Sequence, residues 1–263
     1  MRYALLLVAT AFLSASAQAA VQTRSMTYHD GDAVLEGYFA YDDALSGIAP
    51  GILVVHEWKG LNEYAKRRAR QLAELGYVAF AADMYGKGVA AKDHQEAAQL
   101  SGVYRNDRVL MRRRVVAALE VLKQQPHVDA TRLGAIGYCF GGTTVLELAR
   151  SGADVKGVVS FHGGLDNPDP EAGTMIHAKV LVLHGAKDLF TAPEQMAAFK
   201  REMESGGVDY RVIEYPGAAH GFTVPEAGND PSTGVAYNPD ADRKSWEEMR
   251  RFFEELFAAQ NAA

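Results

Sequence analysis

Short apolar runs separated by helix-like segments constrain the fold of this chain more than any other feature. Residues 52–55 and 78–82 are two such runs, and the segment 62–75 between them has a helical pattern that ends at Gly76. A strand that is apolar on both sides must be covered on both faces, as happens where helices connect parallel strands. The pattern therefore predicts an α/β fold, a mostly parallel sheet with helices on both faces.

The rest of the chain continues this alternation. An N-terminal β-hairpin is predicted around the Asp-Gly-Asp turn at 30–32. The arginine triplet at 112–114 is expected on a solvated helix face. Residues 221–239 are rich in Gly, Pro, Asn and Asp and are expected to form a long loop, a lid over the site. The other predicted elements are strands at 23–28, 33–41, 133–137, 158–161, 180–184 and 210–215, and helices at 105–125, 143–150, 193–204 and 241–257.

The N-terminus has the pattern of a secretory signal peptide. A positive start is followed by an apolar run at 4–13 and a small-x-small site at 17–19. We expect residues 1–20 to be removed on export to the periplasm or the medium, leaving 21–263 as a single α/β domain. No later stretch approaches the ~18 apolar residues of a membrane span. A net charge of −6 disfavours nucleic acid, so the expected partner is a small molecule.

The only cysteine, Cys139, lies in the sequence Gly-Tyr-Cys-Phe-Gly at 137–141. This G-x-C-x-G pattern stands between a predicted strand and a predicted helix, which is the context of a nucleophile elbow. The glycines allow the sharp turn, and the N-terminus of the helix favours a thiolate. The alternative is a buried, inert thiol. The context of the motif favours Cys139 as a nucleophile.

A cysteine nucleophile needs a base and a group that orients the base. In enzymes with a nucleophile elbow, the acid and then the histidine follow the nucleophile along the chain, each after a strand. Asp188 and His220 follow the predicted strands 180–184 and 210–215 in this order. The sequence therefore predicts a triad of Cys139, Asp188 and His220.

Other polar residues near strand ends are weaker candidates. His184 is expected to pack at the end of its strand, whereas His162 precedes the acid in the chain and is expected at most to line the pocket. The pair His56-Glu57 does not continue as the zinc motif H-E-x-x-H, because position 60 is glycine. Asp83 is expected to brace a loop. We therefore expect neither a metal nor a cofactor.

The oxyanion of a tetrahedral intermediate needs two backbone N–H groups aimed at one point. The N–H of Phe140 directly follows the nucleophile, and that of Trp58 lies in the loop after residues 52–55. These two amides are the expected oxyanion hole.

Five motifs in this order, VVHEWKGLN, FAADMYGKG, IGYCFGG, LHGAKD and HGF, make the chain resemble the dienelactone hydrolase family of the α/β-hydrolase superfamily. The resemblance extends from about residue 24 to the C-terminal helix. It implies the triad Cys139, Asp188 and His220, and it adds Glu57. In the family this glutamate is held to switch the cysteine between a resting and an activated thiolate state.

The chain departs from the family at the substrate. The best-known members hold a substrate carboxylate with two arginines; here the first position is Lys87, and the run 221–224 contains no arginine. Lysine attracts a carboxylate without the planar fork of arginine. Lys87, Tyr85 and Phe222 are the expected substrate contacts.

The sequence thus predicts an exported, cofactor-free hydrolase of a small ester or lactone that forms an acyl thioester on Cys139. A peptidase or acyltransferase with the same triad, and a non-catalytic binding protein on the same scaffold, are the alternatives.

Overall fold

The computed structural model describes residues 20–258. The predicted signal peptide therefore lies outside the described residues except for Ala20, and export stays a prediction. Within residues 20–258, no helix combines the length and the apolar character that crossing a bilayer requires.

Within residues 20–258 the fold consists of eight strands and six α-helices. The strands are β1 (Val21–Asp30), β2 (Ala33–Asp42), β3 (Ala49–Val55), β4 (Val78–Ala82), β5 (Val128–Tyr138), β6 (Gly157–Phe161), β7 (Lys179–Gly185) and β8 (Tyr210–Tyr215). The helices are α1 (Glu63–Glu74), α2 (His94–Asn106), α3 (Arg108–Lys123), α4 (Phe140–Arg150), α5 (Pro193–Ser205) and α6 (Pro239–Ala258). Short 3-10 turns add Pro170–Met175, Pro225–Ala227 and Pro231–Thr233.

All eight strands lie in one sheet, in the order β1-β2-β4-β3-β5-β6-β7-β8. β1 and β2 form the predicted hairpin, and β2 pairs antiparallel with β4. From β4 to β8 every neighbouring pair is parallel. The predicted α/β fold is confirmed, and the carboxyl ends of the parallel strands meet at one edge, where ligands of such sheets bind.

The sheet separates two apolar layers, which explains the continuous apolar runs. Along β3, Leu53 and Val55 pack into the layer under α3, α4 and α5, whereas Ile52 and Val54 pack into the layer under α1 and α6. All four side chains have no exposed surface. Covering both faces therefore removes the polar alternation that a half-exposed strand would show.

The helix predicted over 105–125 is confirmed as α3 (Arg108–Lys123), but its first three predicted residues lie outside α3, because a separate helix, α2, precedes it. α2 ends at Asn106 and α3 begins at Arg108, and the side chain of Asp107 caps α3 by accepting a hydrogen bond from the N–H of Leu110. α2 was missing from the sequence analysis because it buries only three side chains, those of Ala97, Ser101 and Tyr104, too few for a clear apolar period.

The prediction of a solvated arginine triplet is wrong for two of its members. Arg114 is buried and its Nε lies 2.9 Å from Asp30, and Arg112 lies 2.7 Å from the fully buried Glu147. Only Arg113 is largely exposed, at 62 % of its side chain. The buried Arg114 and the partly buried Arg112 thus both have acidic partners, as charges removed from water require.

Candidate active site

Cys139 stands between the end of β5 and the start of α4. Its φ of 53° lies in the left-handed region, which is rare for a residue with a side chain and marks a strained turn. The flanking glycines are sterically required. A Cβ on Gly137 would lie 2.0 Å from the carbonyl oxygen of Gly141, and a Cβ on Gly141 would lie 2.2 Å from the carbonyl oxygen of Val55. The G-x-C-x-G pattern therefore builds a nucleophile elbow.

One histidine connects the thiol to a carboxylate. Nε2 of His220 lies 3.1 Å from Sγ of Cys139, and Nδ1 of the same ring lies 2.8 Å from Oδ2 of Asp188. The structure thus brings together the three residues of the predicted triad. The side chain of Asp188 has no exposed surface, and that of His220 is 14 % exposed.

The charge of His220 follows from its two partners. Burial lowers the pKa of His220, but the thiolate of Cys139 and the carboxylate of Asp188 outweigh burial and raise this pKa to about 10. With a pKa raised in this way, the imidazole of His220 holds a proton at neutral pH, beside the sulfur of Cys139. A protonated imidazole can donate a proton to a leaving group, and the thiolate is the nucleophilic form of cysteine.

Two loops carry the acid and the histidine, and their backbones hold them together. The N–H of Lys187 donates to the carbonyl of Ala218 at 2.8 Å. A Cβ on Gly185 would lie 2.6 Å from that same carbonyl oxygen, so glycine permits the close approach. The loop over 221–239 also folds back, because the N–H of Ala236 donates to the carbonyl of His220 at 3.0 Å.

Of the two amides expected in the oxyanion hole, one directly follows Cys139 and the other lies in the loop between β3 and α1. The N–H of Phe140 is the first of α4, where helical partners are missing. Within residues 20–258, neither this N–H nor that of Trp58 has a backbone acceptor. In the described chain, neither amide is therefore occupied by a backbone carbonyl, as an oxyanion hole requires.

A buried histidine fixes the loop that carries Trp58. Nδ1 of His56 lies 2.5 Å from the carbonyl oxygen of Glu57, and the N–H of Met84 donates to Nε2 at 3.2 Å. An accepting Nε2 places the proton on Nδ1, which then donates to Glu57. Burial lowers the pKa of His56, in keeping with this neutral ring. The role of His56 was not predicted, because its partner Met84 follows a different strand.

Glu57 lies near the catalytic pair without bonding to it. The side chain is partly buried, and burial is the main cause that raises the pKa of Glu57 to about 7, against an opposing effect of His220. The sulfur of Cys139 hydrogen-bonds to His220 and, within the described chain, not to Glu57.

The expected substrate contacts lie in different surroundings. The hydroxyl of Tyr85 donates to the carbonyl of Trp58 at 2.9 Å, and burial and nearby Cys139 raise the pKa of Tyr85. Lys87 pairs instead with Glu36 of the hairpin at 2.8 Å, which counts against a role in holding substrate.

Phe222 also differs from its expected role. Its ring has no exposed surface and packs against the rings of His162 and Tyr215, at 5.2 and 5.5 Å between ring centroids. The side chain belongs to the apolar core under the histidine loop and does not line an open pocket wall.

The weaker candidates take structural positions. The carboxylate of Asp83 accepts hydrogen bonds from the N–H groups of Tyr85 and Gly86, so the predicted loop brace is confirmed. His184 is buried at the end of β7, and His162 is fully buried with its ring edge against His220. Within the described residues, no group of three or more His, Cys, Asp or Glu side chains could hold a metal ion.

Three residues near the site were not predicted. Leu189 and Phe190 directly follow the acid, are 78 % and 61 % exposed, and the ring of Phe190 lies 5.0 Å from that of His220. Arg105 lies in the last turn of α2, with a guanidinium nitrogen 3.9 Å from where a Cβ on Gly164 would lie. The two adjacent apolar residues after Asp188 could have been recognised in the sequence as candidate site residues. The position of Arg105 could not, because it depends on the break between α2 and α3.

Comparison with known proteins identifies the family. The family model described as the dienelactone hydrolase family matches residues 35–257. A Bradyrhizobium protein named a probable 2-oxo-3-(5-oxofuran-2-ylidene)propanoate lactonase is 30% identical over 86% of this chain and 93% of its own length. The crystal structure of a dienelactone hydrolase-like promiscuous phosphotriesterase from metagenomic libraries is 42% identical, with a TM-score of 0.86 over 90% of this chain and 99% of that one.

A dienelactone hydrolase from Anabaena variabilis, 20% identical with a TM-score of 0.66, shares the fold over 90% of this chain and 98% of its own. The resemblance inferred from the five motifs is thus confirmed. The chain belongs to the dienelactone hydrolase family of the α/β-hydrolase superfamily, and it is an ester or lactone hydrolase.

Proposed function

We propose that the protein hydrolyses small carboxylic esters or lactones through a covalent acyl thioester on Cys139. The observation that carries this proposal is a single imidazole that contacts both other members of the triad. Its Nε2 lies 3.1 Å from Sγ of Cys139, and its Nδ1 lies 2.8 Å from the carboxylate of Asp188. This is the geometry that nucleophilic catalysis requires.

Acylation begins when the thiolate of Cys139 attacks the carbonyl carbon. An S–C bond forms, and the carbonyl π electrons move to the oxygen, which accepts hydrogen bonds from the N–H groups of Phe140 and Trp58. When the tetrahedral intermediate collapses, the C–O bond breaks and Nε2 of His220 gives its proton to the leaving alkoxide. The products are an alcohol, or the hydroxyl end of an opened lactone, and a thioester on Cys139.

Deacylation uses the same groups in reverse. His220, now neutral, takes a proton from a water molecule, whose oxygen bonds to the thioester carbon. The C–S bond then breaks and the thiolate leaves, which restores the ion pair with the imidazolium. Asp188 keeps the ring oriented through both steps and stabilises its charged form. Glu57 has a pKa of about 7, so it gains or loses a proton near neutrality and thereby changes the negative charge close to the thiolate.

The surroundings of the triad favour an apolar acyl or alcohol group. The exposed side chains of Leu189 and Phe190 stand beside His220, and apolar groups in water favour an apolar ligand. The ammonium of Lys87 is paired with Glu36, which offsets its attraction for a substrate carboxylate. We therefore propose uncharged esters and lactones as better substrates than anionic ones.

The test is a steady-state assay of the purified chain on para-nitrophenyl acetate, para-nitrophenyl butyrate and dihydrocoumarin. Cys139→Ala and His220→Ala should each lower kcat/KM by about 1,000-fold or more, since members of such a triad act as one unit. Ser245→Ala is the control, because this hydroxyl is also shielded from solvent but bonds within α6. Wild-type turnover by Cys139→Ala would refute covalent catalysis at this thiol.

A peptidase or acyltransferase using the same triad would be revealed by the same enzyme preparation. Peptide para-nitroanilides test amide cleavage, and an added alcohol tests acyl transfer through the yield of the new ester. We expect ester hydrolysis to be faster than both amide cleavage and acyl transfer. Amide cleavage or acyl transfer that is faster than the hydrolysis of every ester tested would instead indicate a peptidase or an acyltransferase.

A second candidate reaction is phosphotriester hydrolysis. It is favoured by the 42% identity to the metagenomic promiscuous phosphotriesterase, which extends over 90% of this chain. An aryl diethyl phosphate is the matching probe, and release of the aryl alcohol that disappears in Cys139→Ala would support it. Release that is equal in Cys139→Ala and the wild type would reject a thiol-dependent reaction.

Export is part of the proposed function and rests on the N-terminal pattern alone. Expression of the full chain in a bacterial host, followed by fractionation and intact-mass measurement, tests it. A periplasmic or secreted product that lacks residues 1–19 or 1–20 is the expected result. Full-length protein confined to the cytoplasm would contradict export.

A further inference from the structure

A buried chain of polar side chains ends beside the histidine of the triad. The hydroxyl of Thr223 lies 2.8 Å from Nε2 of His162 and 2.6 Å from the hydroxyl of Tyr64. Arg68 continues this series of hydrogen bonds, because its Nε donates to the hydroxyl of Tyr64 at 3.3 Å and its Nη2 donates to the carboxylate of Asp242. We refer to these five residues as the Thr223 network. None of them is needed for the reaction steps above.

A single direction of donation, from Arg68 through Tyr64 and Thr223 to His162, accounts for the three contacts. Arginine can only donate, so the hydroxyl of Tyr64 accepts from Arg68 and has its own proton for Thr223. The hydroxyl of Thr223 then has a proton for Nε2 of His162. This leaves His162 neutral, and burial, together with the charge of His220, lowers its pKa well below the usual value.

The network holds the turn that follows the catalytic histidine. Thr223 lies three residues after His220 and has no exposed surface, and its turn is closed by the N–H of Val224 donating to Gly221 at 2.9 Å. The main-chain carbonyl of Thr223 also accepts from Arg68 at 3.1 Å. Side chain and main chain of one residue are thus both bound to α1.

His162 completes the contact with the catalytic ring. Its own ring is fully buried and meets His220 edge to face at 5.2 Å between centroids. Its φ of 40° is in the left-handed region, which a residue with a side chain adopts only when its surroundings hold it there. The hydrogen bond to Thr223 therefore links a strained residue at the end of β6 to the loop of His220.

We propose that Thr223 and His162 are positioning residues that hold the ring of His220 between Cys139 and Asp188, with Tyr64 and Arg68 anchoring Thr223. This inference concerns the site of the proposed function, but it can be tested without any substrate. The reactivity of Cys139 depends on its contact with His220, so thiol alkylation reports on the position of the ring.

The experiment compares wild type, Thr223→Val and Thr223→Ser by the rate of iodoacetamide alkylation of Cys139 at neutral pH. Valine has the shape of threonine without the hydroxyl, so alkylation should slow by about 10-fold or more, as a small misplacement of a catalytic group does. Serine restores the hydroxyl and should restore the rate. Ser245→Ala controls for the loss of a buried hydroxyl and should leave the rate unchanged.

Steady-state kinetics on an ester provide a second reading. Thr223→Val should lower kcat about 10-fold and change KM little, because the ring acts in the chemical steps and not in binding. Lower thermal stability with unchanged alkylation and unchanged kcat would show a merely structural role and overturn the proposal.

Tyr64→Phe keeps the inference testable if Thr223→Val does not fold. It removes the donor to Thr223 and leaves the loop sequence intact, with Tyr77→Phe as the control for a buried tyrosine under α6. Slower alkylation in Tyr64→Phe alone supports the proposal, and equal rates in both variants reject it. Should wild type hydrolyse no ester, the alkylation comparison still decides this inference.

Discussion

The charge on His220 offers a quantitative test of the catalytic pair. Nε2 lies 3.1 Å from the sulfur of Cys139, and two opposite charges at that distance attract by about 5 kcal/mol at an effective dielectric constant of about 20. Each pH unit corresponds to about 1.4 kcal/mol, so removing the thiolate should lower the pKa of His220 by about 4. In Cys139→Ala, a pKa of about 10 should therefore fall to about 6.

The assay is NMR of protein labelled with ¹⁵N in its histidine side chains, titrated over roughly pH 4 to 11 to bracket both values. Cys139→Ser is the matched control for size, because its hydroxyl is uncharged and should give the same fall. The other histidines serve as internal references. A His220 that still titrates near 10 without the thiol would show that the thiolate is not the cause, and the account of the ion pair would be wrong.

Three further changes follow from burial and close packing. Burial raises the pKa of Glu57 from 4.5 to about 7, so the folded protein binds this proton more tightly than the unfolded chain does. The free energy of unfolding should therefore fall as the pH rises through that range. In Glu57→Gln, up to about 3 kcal/mol of this fall should be absent, as measured by urea unfolding at several pH values. If the free energy of unfolding had the same pH dependence in wild type and Glu57→Gln, the raised pKa of Glu57 would be rejected. Gly141→Ala places a Cβ 2.2 Å from the carbonyl oxygen of Val55, so turnover should fall by about 100-fold while circular dichroism stays native; near-normal turnover would contradict the tight elbow. Arg150→Met leaves the buried Glu202 without its partner at 2.8 Å and should cost about 3 to 5 kcal/mol in urea unfolding, whereas a cost below about 1 kcal/mol would show that the pair is unimportant.

The nucleophile elbow could be predicted because its causes are local. The turn at Cys139 needs glycines two residues away on either side, so the whole requirement falls within five consecutive residues of the sequence. Asp188 and His220 were accessible for a related reason, since each follows a recognisable strand at the same edge of the sheet. Their contact depends on strand order, which the resemblance to a known family supplies.

Partners that are distant along the chain could not be predicted. Arg114 binds Asp30, 84 residues earlier, and a basic triplet gives no indication of such a partner. Thr223 contacts Tyr64, 159 residues earlier in the chain. In the sequence nothing distinguishes it from any other loop threonine, because its role depends on the packing of α1 against its loop. Local pattern therefore predicted the groups that we propose to react, and only tertiary structure identified those that hold them.

The central claim is that Cys139 forms a covalent acyl intermediate, and mass spectrometry of the acid-quenched reaction tests it most directly. Protein mixed with para-nitrophenyl butyrate and quenched within the first turnovers should gain the mass of one butyryl group. Proteolysis should place that mass on the peptide containing Cys139, with hydroxylamine removing it as expected for a thioester. In Cys139→Ala, both the added mass and the hydrolysis should disappear. Hydrolysis that continues in Cys139→Ala, with no acyl group on Cys139 in the wild type, would contradict the account.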